Sequence, residues 1–352
     1  IGAADLELEG LLLETSVISI RQRYIGAPPE MLAHAEDLAT SLGYEREAAD
    51  FLYARWSASS QQLDLGLASM LADRLRERTE GSDDPLIRLY AAHATGVDHW
   101  DHGRIGDSYR ALVEANRILA TEISANASWL QRLRRDLRVL SPAFLACMTT
   151  MHIGVEQGRP LFDEIERQMG DDRYARVVWS AFSATSASMS GDARWAERVG
   201  KIGLTDNATE TFEVLGIYSV FQYWWARAML GDAGEGVERM REIIAEIPDF
   251  GRRTGHALWL TLFSEALLDA EQLDEAAAAL DRADEAIRIT GQRYPEPLTR
   301  LIRAGLEHAR GLSADRVSAT LQASRDLATR TESTVVRQRI EQFGASHGYP
   351  LR

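Results

Sequence analysis

The sequence predicts an all-α solenoid, a superhelix of helix–turn–helix units stacked along the whole chain. Three observations predict it: a turn that recurs about every 40 residues, helical periodicity between the turns, and nearly absent strand signals. The turn segments begin at Ser60, Gly103, Gly158, Gly191, Gly231 and Glu271, with gaps of 43, 55, 33, 40 and 40 residues. We therefore expect residues 1–352 to form a single helical-repeat domain.

Each predicted helix rests on an apolar face or on a boundary signal. Leu8, Leu11 and Leu12 give the first helix one apolar face. Proline is tolerated at the first position of a helix, so Pro29 predicts the start of the second. These signals predict helices at 4–22, 29–42 and 46–59, helices that open near 85 and 142, a pair within 297–330, and a C-terminal capping helix at 332–345.

The longest gap between turns indicates an insertion at residues 124–140. Its arginines alternate with apolar residues such as Trp129 and Leu133, which predicts a basic amphipathic helix. A basic helix face can bind a membrane surface or a partner. The alternative, which we favour, is that this face is simply solvated.

Composition limits the function classes. A net charge of −14 argues against nucleic acid as a direct partner. No apolar run reaches the ~18 residues of a membrane span, and the acidic start does not fit a signal peptide. The single cysteine, Cys147, fits a reducing compartment. We expect a cytoplasmic protein with no membrane partner and, because the first residue is not Met, a fragment or a processed chain.

The residues after each turn follow the register of a tetratricopeptide repeat. If the turn is position 15 of a 34-residue motif, small residues belong at positions 20 and 27, where two helices cross closely. The matching residues are Ser108, Ala115, Gly170, Ala196, Gly203, Gly236, Ala276 and Ala283. Asp163, in the unit of the Gly158 turn, is the exception.

Three segments carry a family resemblance: LELEGLLLET at 6–15 with Tyr24 and Pro28-Pro29, GIYSVFQYWWARAMLGDAGEGV at 216–237, and QLDEAAAALD at 272–281 with TGQRYPEPL at 290–298. In these segments the chain resembles the C-terminal tetratricopeptide-like sensor half of large bacterial STAND-type ATPases. These are multidomain transcriptional regulators of the antibiotic-regulatory and large LuxR-type classes. The resemblance implies a sensor module whose own ATPase and DNA-binding domains are missing from this chain.

No motif for catalysis or metal binding stands out. Lys201 lacks the context of a P-loop, and no nucleophile elbow is present. His93, His99 and His102 are spaced 6 and 3 residues apart, whereas two zinc ligands on a helix prefer a spacing of 4. We expect no enzymatic activity, no metal and no cofactor.

A ligand would bind on the concave face, which the first helix of each unit lines at spacings of 3 and 4. The candidate ligand-binding residues are Asp50, His93, Trp100, Asp101, His152, Glu156, Tyr218, Gln222, Trp225 and Glu265. Aromatic rings beside hydrogen-bonding groups suit a small polar ligand such as a mono- to trisaccharide. Packing is the open alternative: Trp179, Trp224 and Trp259 are predicted core residues, with Trp225 the better groove candidate.

Two functions fit this predicted architecture. The first is a sensor domain that binds a small polar metabolite in the groove and transmits the signal to the missing ATPase and DNA-binding parts. The alternative is a protein- or peptide-binding scaffold without a small-molecule ligand. A third option is a helical half that only inhibits its own ATPase.

Overall fold

A computed structural model describes residues 2–22, 28–134, 136–207, 213–246 and 254–351. Within these ranges the chain forms 18 α-helices and one short π-helical segment, with no strand. In chain order the helices are α1 (Ala3–Gln22), α2 (Pro29–Ser41), α3 (Glu45–Gln61), α4 (Leu65–Glu77), α5 (Pro85–Asp101), α6 (Ile105–Ile118), α7 (Ala127–Arg132), α8 (Leu137–His152), α9 (Val155–Met169), α10 (Arg173–Ser190), α11 (Ala193–Asp206), α12 (Glu213–Met229), α13 (Ala233–Glu246), α14 (His256–Asp269), α15 (Leu273–Thr290), α16 (Glu296–Ala309), α17 (Ala314–Arg330) and α18 (Thr334–His347). The predicted all-α solenoid is confirmed.

Consecutive helices form hairpins that stack side by side. The first helices of successive hairpins pack on one another, as α8 does on α10, α10 on α12 and α12 on α14, while each second helix packs on its own partner. We call the first helices, α3, α5, α8, α10, α12, α14, α16 and α18, the inner helices. The second helices, α4, α6, α9, α11, α13, α15 and α17, are the outer helices.

The turn inside each hairpin is short and needs one residue in an unusual backbone conformation. Gly103 has φ +73°, and the same place is held by Leu63 at +56° and by Glu271 at +58°. Glycine adopts this conformation at little cost, whereas a side chain costs roughly 1 kcal/mol or more. This requirement explains why each turn segment contains glycine or a short polar run. Five of the six predicted turns are confirmed.

The sixth predicted turn, at Gly158, was wrong. The chain turns at Ile153 and Gly154, and Gly158 lies inside α9. A Cβ at Gly158 would come within 2.0 Å of the Thr150 Oγ1 and 2.8 Å of the Thr150 Cα, so glycine is required by a close helix crossing. Glycine is required both at a tight turn and at a close helix crossing, so Gly158 was mistaken for a turn residue. This error shifted the repeat register and explains the mismatch at Asp163.

Two other boundaries differ from prediction. The helix expected to open near 142 begins at Leu137, where Asp136 accepts a hydrogen bond of 3.1 Å from the Leu137 amide, and Pro142 lies inside α8. The described residues of the predicted insertion at 124–140 form the six-residue helix α7 and, from Leu137 onward, the first residues of α8. A π-helical segment, Leu119–Ile123, precedes α7.

One continuous apolar core extends from Ala49 in α3 to Ile340 in α18. Trp179 and Trp259 are fully buried in it, as predicted. The neighbouring pair is reversed: Trp225 is buried, at 1% exposure, while Trp224 is partly exposed and packs against the core. Trp225 is therefore not a free groove residue.

The C-terminal hairpins return to the inner face of the early ones. The helix predicted at 332–345 is present as α18, and it packs against α8 and α10 as well as α16 and α17. Two backbone hydrogen bonds join the distant parts: the Ile105 amide donates to the Thr331 carbonyl over 3.1 Å, and the Arg293 amide donates to the Asp101 carbonyl over 2.7 Å. We call this junction of early and late repeats the seam.

Candidate functional site

The inner helices surround a partly open cavity beside the seam. Its volume, taken as the space open to the centre of a water-sized sphere, is about 60 Å³. One water needs ~10–15 Å³ by this measure, so the space exceeds that of a single water. The described lining residues come from α3, α5, α8, α10, α12 and the segments before α14 and α16: Ser60, Gln61, Val97, Trp100, Asp101, Phe144, Cys147, Ala181, Phe182, Thr185, Leu215, Tyr218, Thr254 and Tyr294.

Asp101 is the only charged residue among the described lining residues. It is buried, at 3% exposure, at the C-terminal end of α5. Its Oδ1 accepts a hydrogen bond of 2.7 Å from Gln292 Nε2, and its Oδ2 accepts one of 3.1 Å from the Ser60 hydroxyl. Both donors are neutral, and no cation of the described chain pairs with this carboxylate. Burial raises the pKa of Asp101 to about 7, and the two hydrogen bonds only partly offset that increase.

Aromatic rings form the apolar wall of the cavity. Trp100 stacks on Tyr294 with ring centroids 3.8 Å apart and planes at 20°. The ring centroids of Phe144 and Phe182 lie 4.6 Å apart. The Tyr218 hydroxyl donates a hydrogen bond of 3.1 Å to the Thr254 hydroxyl. The rings belong to α5, α8, α10, α12 and the segment before α16, so the wall depends on the closed seam.

Gln292 does not line the cavity itself but joins two residues that do, Asp101 and Thr254. Besides Asp101, its Nε2 contacts the Thr254 hydroxyl at 3.1 Å, and its Oε1 accepts a bond of 2.9 Å from the Gly255 amide. The side chain is 1% exposed. One amide therefore links α5, the segment before α14 and the loop before α16.

A second group of predicted residues lies further along the inner face. Trp225 Nε1 donates to Glu265 Oε2 over 3.2 Å, and Arg339 of α18 pairs with the other oxygen of Glu265. Arg339 also donates to the Ser188 carbonyl over 3.2 Å. Here Glu265 pairs with an arginine of the chain itself, and Glu265 and Arg339 both line a second, separate groove.

His93 and Gln222 are buried behind the cavity and do not line it. The Tyr53 hydroxyl is hydrogen-bonded to His93 Nδ1 at 3.1 Å, and the imidazole lies among aromatic rings. Gln222 Nε2 donates to the Thr185 hydroxyl over 3.0 Å. Both were predicted to contact a ligand in the groove, but their spacing places them in the packed interior, one layer behind the cavity wall.

The remaining three candidates lie apart from the cavity. Asp50 pairs with Arg134 at 2.6 Å beside a separate groove next to α1. His152 Nδ1 lies 3.2 Å from the Glu332 carbonyl at the seam. Glu156 is exposed in the first turn of the outer helix α9, because the turn comes earlier than predicted. Of the ten candidates, Trp100, Asp101 and Tyr218 line the inner cavity.

Sequence reasoning missed Gln61, Thr254 and Tyr294 as lining residues. Gln61 lies in a segment that was assigned to a turn but continues α3 by another residue. Thr254 and Tyr294 come from segments between hairpins, which the repeat register does not address. The Tyr-Pro-Glu-Pro run that begins at Tyr294 belongs to a segment that carries the family resemblance, and no local signal indicates its contact with Trp100.

The cavity wall also contains the thiol of Cys147. Burial raises the pKa of the Cys147 thiol to about 12, which keeps it protonated and poorly nucleophilic. Among the described residues, no group of three or more His, Cys, Asp or Glu side chains is arranged to hold a metal ion. Across the same residues, no helix has the length and apolar content needed to cross a membrane.

Comparison with known proteins adds no relative. A scan against models of protein families gives no match, and a search of curated proteins gives no significant similarity. Function must therefore be inferred from the geometry of the cavity and the seam.

Proposed function

We propose that this chain is the ligand-sensing domain of a multidomain bacterial transcriptional regulator, and that a small polar effector binds in the inner cavity. One observation carries the proposal: a single cavity is lined by early inner helices, through Trp100 and Asp101, and by late segments, through Thr254 and Tyr294. A guest in this space contacts both sides of the seam. Binding energy can therefore be coupled to seam closure.

The coupling follows from differential affinity. A guest that contacts Trp100 and Tyr294 together favours the closed seam over any state in which the two rings separate. To move a two-state equilibrium from 1:99 to 99:1, a guest must bind the favoured state more tightly than the other by ~5.5 kcal/mol of binding free energy. The closed and opened seams would present different surfaces to the ATPase and DNA-binding parts, which gives the signal a route out of the domain.

The size of the cavity limits the size of the effector that can bind. A cavity of about 60 Å³, larger than the space of a single water, suits a small polar molecule. We therefore propose a guest smaller than a trisaccharide for the closed state.

The alternative of a peptide-binding scaffold has less support. A peptide in the concave groove would lie where Gln292, Tyr294 and Arg339 already contact the inner helices. Such binding would first have to break the seam.

A thermal-shift screen of small polar metabolites tests the proposal. At 100 times its dissociation constant, a guest should add ~2.7 kcal/mol to the free energy of unfolding and raise the Tm. Ala181 lines the cavity and is buried, so Ala181→Leu should occupy the space and abolish the shift. If no compound changes the Tm, or if Ala181→Leu responds like the native chain, the proposal is wrong.

A further inference from the structure

Among the described lining residues of the inner cavity, Asp101 carries the one formal charge, and no described cation pairs with it. Asp101 accepts hydrogen bonds from Gln292 and Ser60, which are neutral donors. The described lining residues include no arginine, lysine or histidine. A buried carboxylate usually has a cationic partner or a metal, because an isolated buried charge is costly.

A second acceptor lies in the same cavity wall. Gln61 is 5% exposed, and its Nε2 donates to the Ser57 hydroxyl over 2.7 Å. Its Oε1 is buried and has no hydrogen-bond donor in the part of the chain that the structure describes. The Gln61 carbonyl dipole adds negative potential to this wall, and the Asp101 carboxylate calls for a guest that brings positive charge and N–H groups.

The aromatic lining agrees with this chemistry. Trp100, Tyr294, Phe144 and Phe182 border the same space. Aromatic rings attract organic cations as well as apolar groups, and recognition of ammonium ligands commonly combines rings with a carboxylate. A neutral polyol would use the rings but would leave the charge of Asp101 uncompensated.

The net charge of the whole chain also favours a cationic guest. A net charge of −14 attracts cations toward the protein and disfavours anionic metabolites. A phosphorylated or carboxylated guest would be repelled by the chain as a whole and by Asp101 at short range.

We infer that the inner cavity binds a small organic ammonium ion, with Asp101 as its counterion and the Trp100 and Tyr294 rings beside its carbon atoms. This inference rests on the proposed function and adds the chemical class of the effector. The ammonium donates to the Asp101 carboxylate. The volume of the cavity, about 60 Å³, suits a small guest.

The test compares three probes of equal size and different charge on the full chain. Ethanolamine hydrochloride supplies the cation, 1-propanol a neutral molecule and sodium acetate an anion, each measured against sodium chloride at the same ionic strength. The readouts are the Tm and the dissociation constant from calorimetry. Ethanolammonium should bind at least about tenfold more tightly than either of the other probes.

Asp101→Asn removes the charge while the amide keeps hydrogen bonds to Gln292 and Ser60, so the variant should fold. It should weaken ethanolammonium binding by at least about tenfold. Asp98→Asn is the matched control, because Asp98 is on the same helix but does not line the cavity. It should change the dissociation constant by less than about twofold.

The outcomes separate the two proposals. If 1-propanol or a sugar raises the Tm and ethanolammonium does not, the ammonium inference is overturned and the sensing function stands. If no probe and no metabolite binds, both are overturned. Ethanolammonium binding that survives Asp101→Asn unchanged would also contradict the inference, because the cation would then lie elsewhere.

Discussion

Gln292 and Asp101 are hydrogen-bonded across the interior of the superhelix: Gln292 Nε2 donates to Asp101 Oδ1 over 2.7 Å, although 191 residues separate them. Beside this bond the Arg293 amide donates to the Asp101 carbonyl, and Tyr294 stacks on Trp100. Three consecutive residues of one loop thus contact the C-terminal end of α5. This loop turns an open concave face into a cavity.

Asp101 should make the stability of the protein depend on pH. Because burial raises its pKa to about 7, the folded state binds a proton more tightly than the unfolded state does. The stabilising contribution of that proton is complete below pH ~4 and is lost as the pH rises to about 7. Asp98 and His102 modulate the same titration.

Asp101→Asn should therefore raise the free energy of unfolding at pH 8, by up to about 4 kcal/mol, and have little effect at pH 4. Urea denaturation of both proteins at several pH values measures the difference. A variant that is less stable than the native chain at pH 8 would mean that the carboxylate has a cationic partner, contrary to the geometry.

The stacked pair Trp100 and Tyr294 should contribute to closure of the seam. Ring pairs of this kind are worth ~0.5–1.5 kcal/mol beyond their buried area. A double-mutant cycle with Trp100→Leu and Tyr294→Leu, measured by denaturation, should give a coupling energy in that range. Strictly additive effects would show that the two rings do not stabilise each other in solution.

Gly158 should tolerate no side chain. A Cβ would lie 2.8 Å from the Thr150 Cα and 2.7 Å from its amide nitrogen, so α8 and α9 would have to separate. We expect Gly158→Ala to cost about 1–3 kcal/mol, although alanine is the better helix former. Gly66→Ala in α4 is the control: no atom lies within 4 Å of its added Cβ, and it should be neutral or slightly stabilising. Equal effects at both sites would contradict the close crossing.

Arg339 should stabilise the seam at its second contact. It pairs with Glu265 and donates to the carbonyls of Ser188 and Met189, with only 14% of its side chain exposed. Arg339→Met leaves the Glu265 charge buried without its cation and should cost about 2–4 kcal/mol. Arg310→Met removes an exposed arginine that pairs with Asp274, so it should cost less than about 1 kcal/mol. Thermal denaturation compares the two variants.

The sequence predicts the local parts of this architecture well and the long-range parts poorly. Turns at Gly103, Gly191 and Gly231 and the buried Trp179 follow from periodicity and backbone requirements within one hairpin. A tight turn and a close helix crossing both require glycine. The predicted turn at Gly158 was therefore misplaced by about one turn of helix. The error carried Glu156 from the inner face to an outer helix.

The candidate site was predictable only in part, for a geometric reason. A repeat register identifies which residues of α5 and α12 face inward, and so it found Trp100, Asp101 and Tyr218. It does not say where a superhelix meets itself. The contacts of Tyr294 and Arg339 depend on the accumulated rotation of many hairpins, and small changes in each crossing angle add up along the chain.

Closure of the seam around a guest can be measured by hydrogen exchange at the Ile105 and Arg293 amides, which bond to Thr331 and Asp101 across the seam. We predict that both amides are protected in the free protein and that a bound guest slows their exchange by about tenfold or more. The Leu312 amide, which bonds within its own turn, is the control and should not change. Exchange of Ile105 and Arg293 at the rate of an unstructured chain, or a guest that raises the Tm without slowing them, would contradict a seam that closes on its ligand.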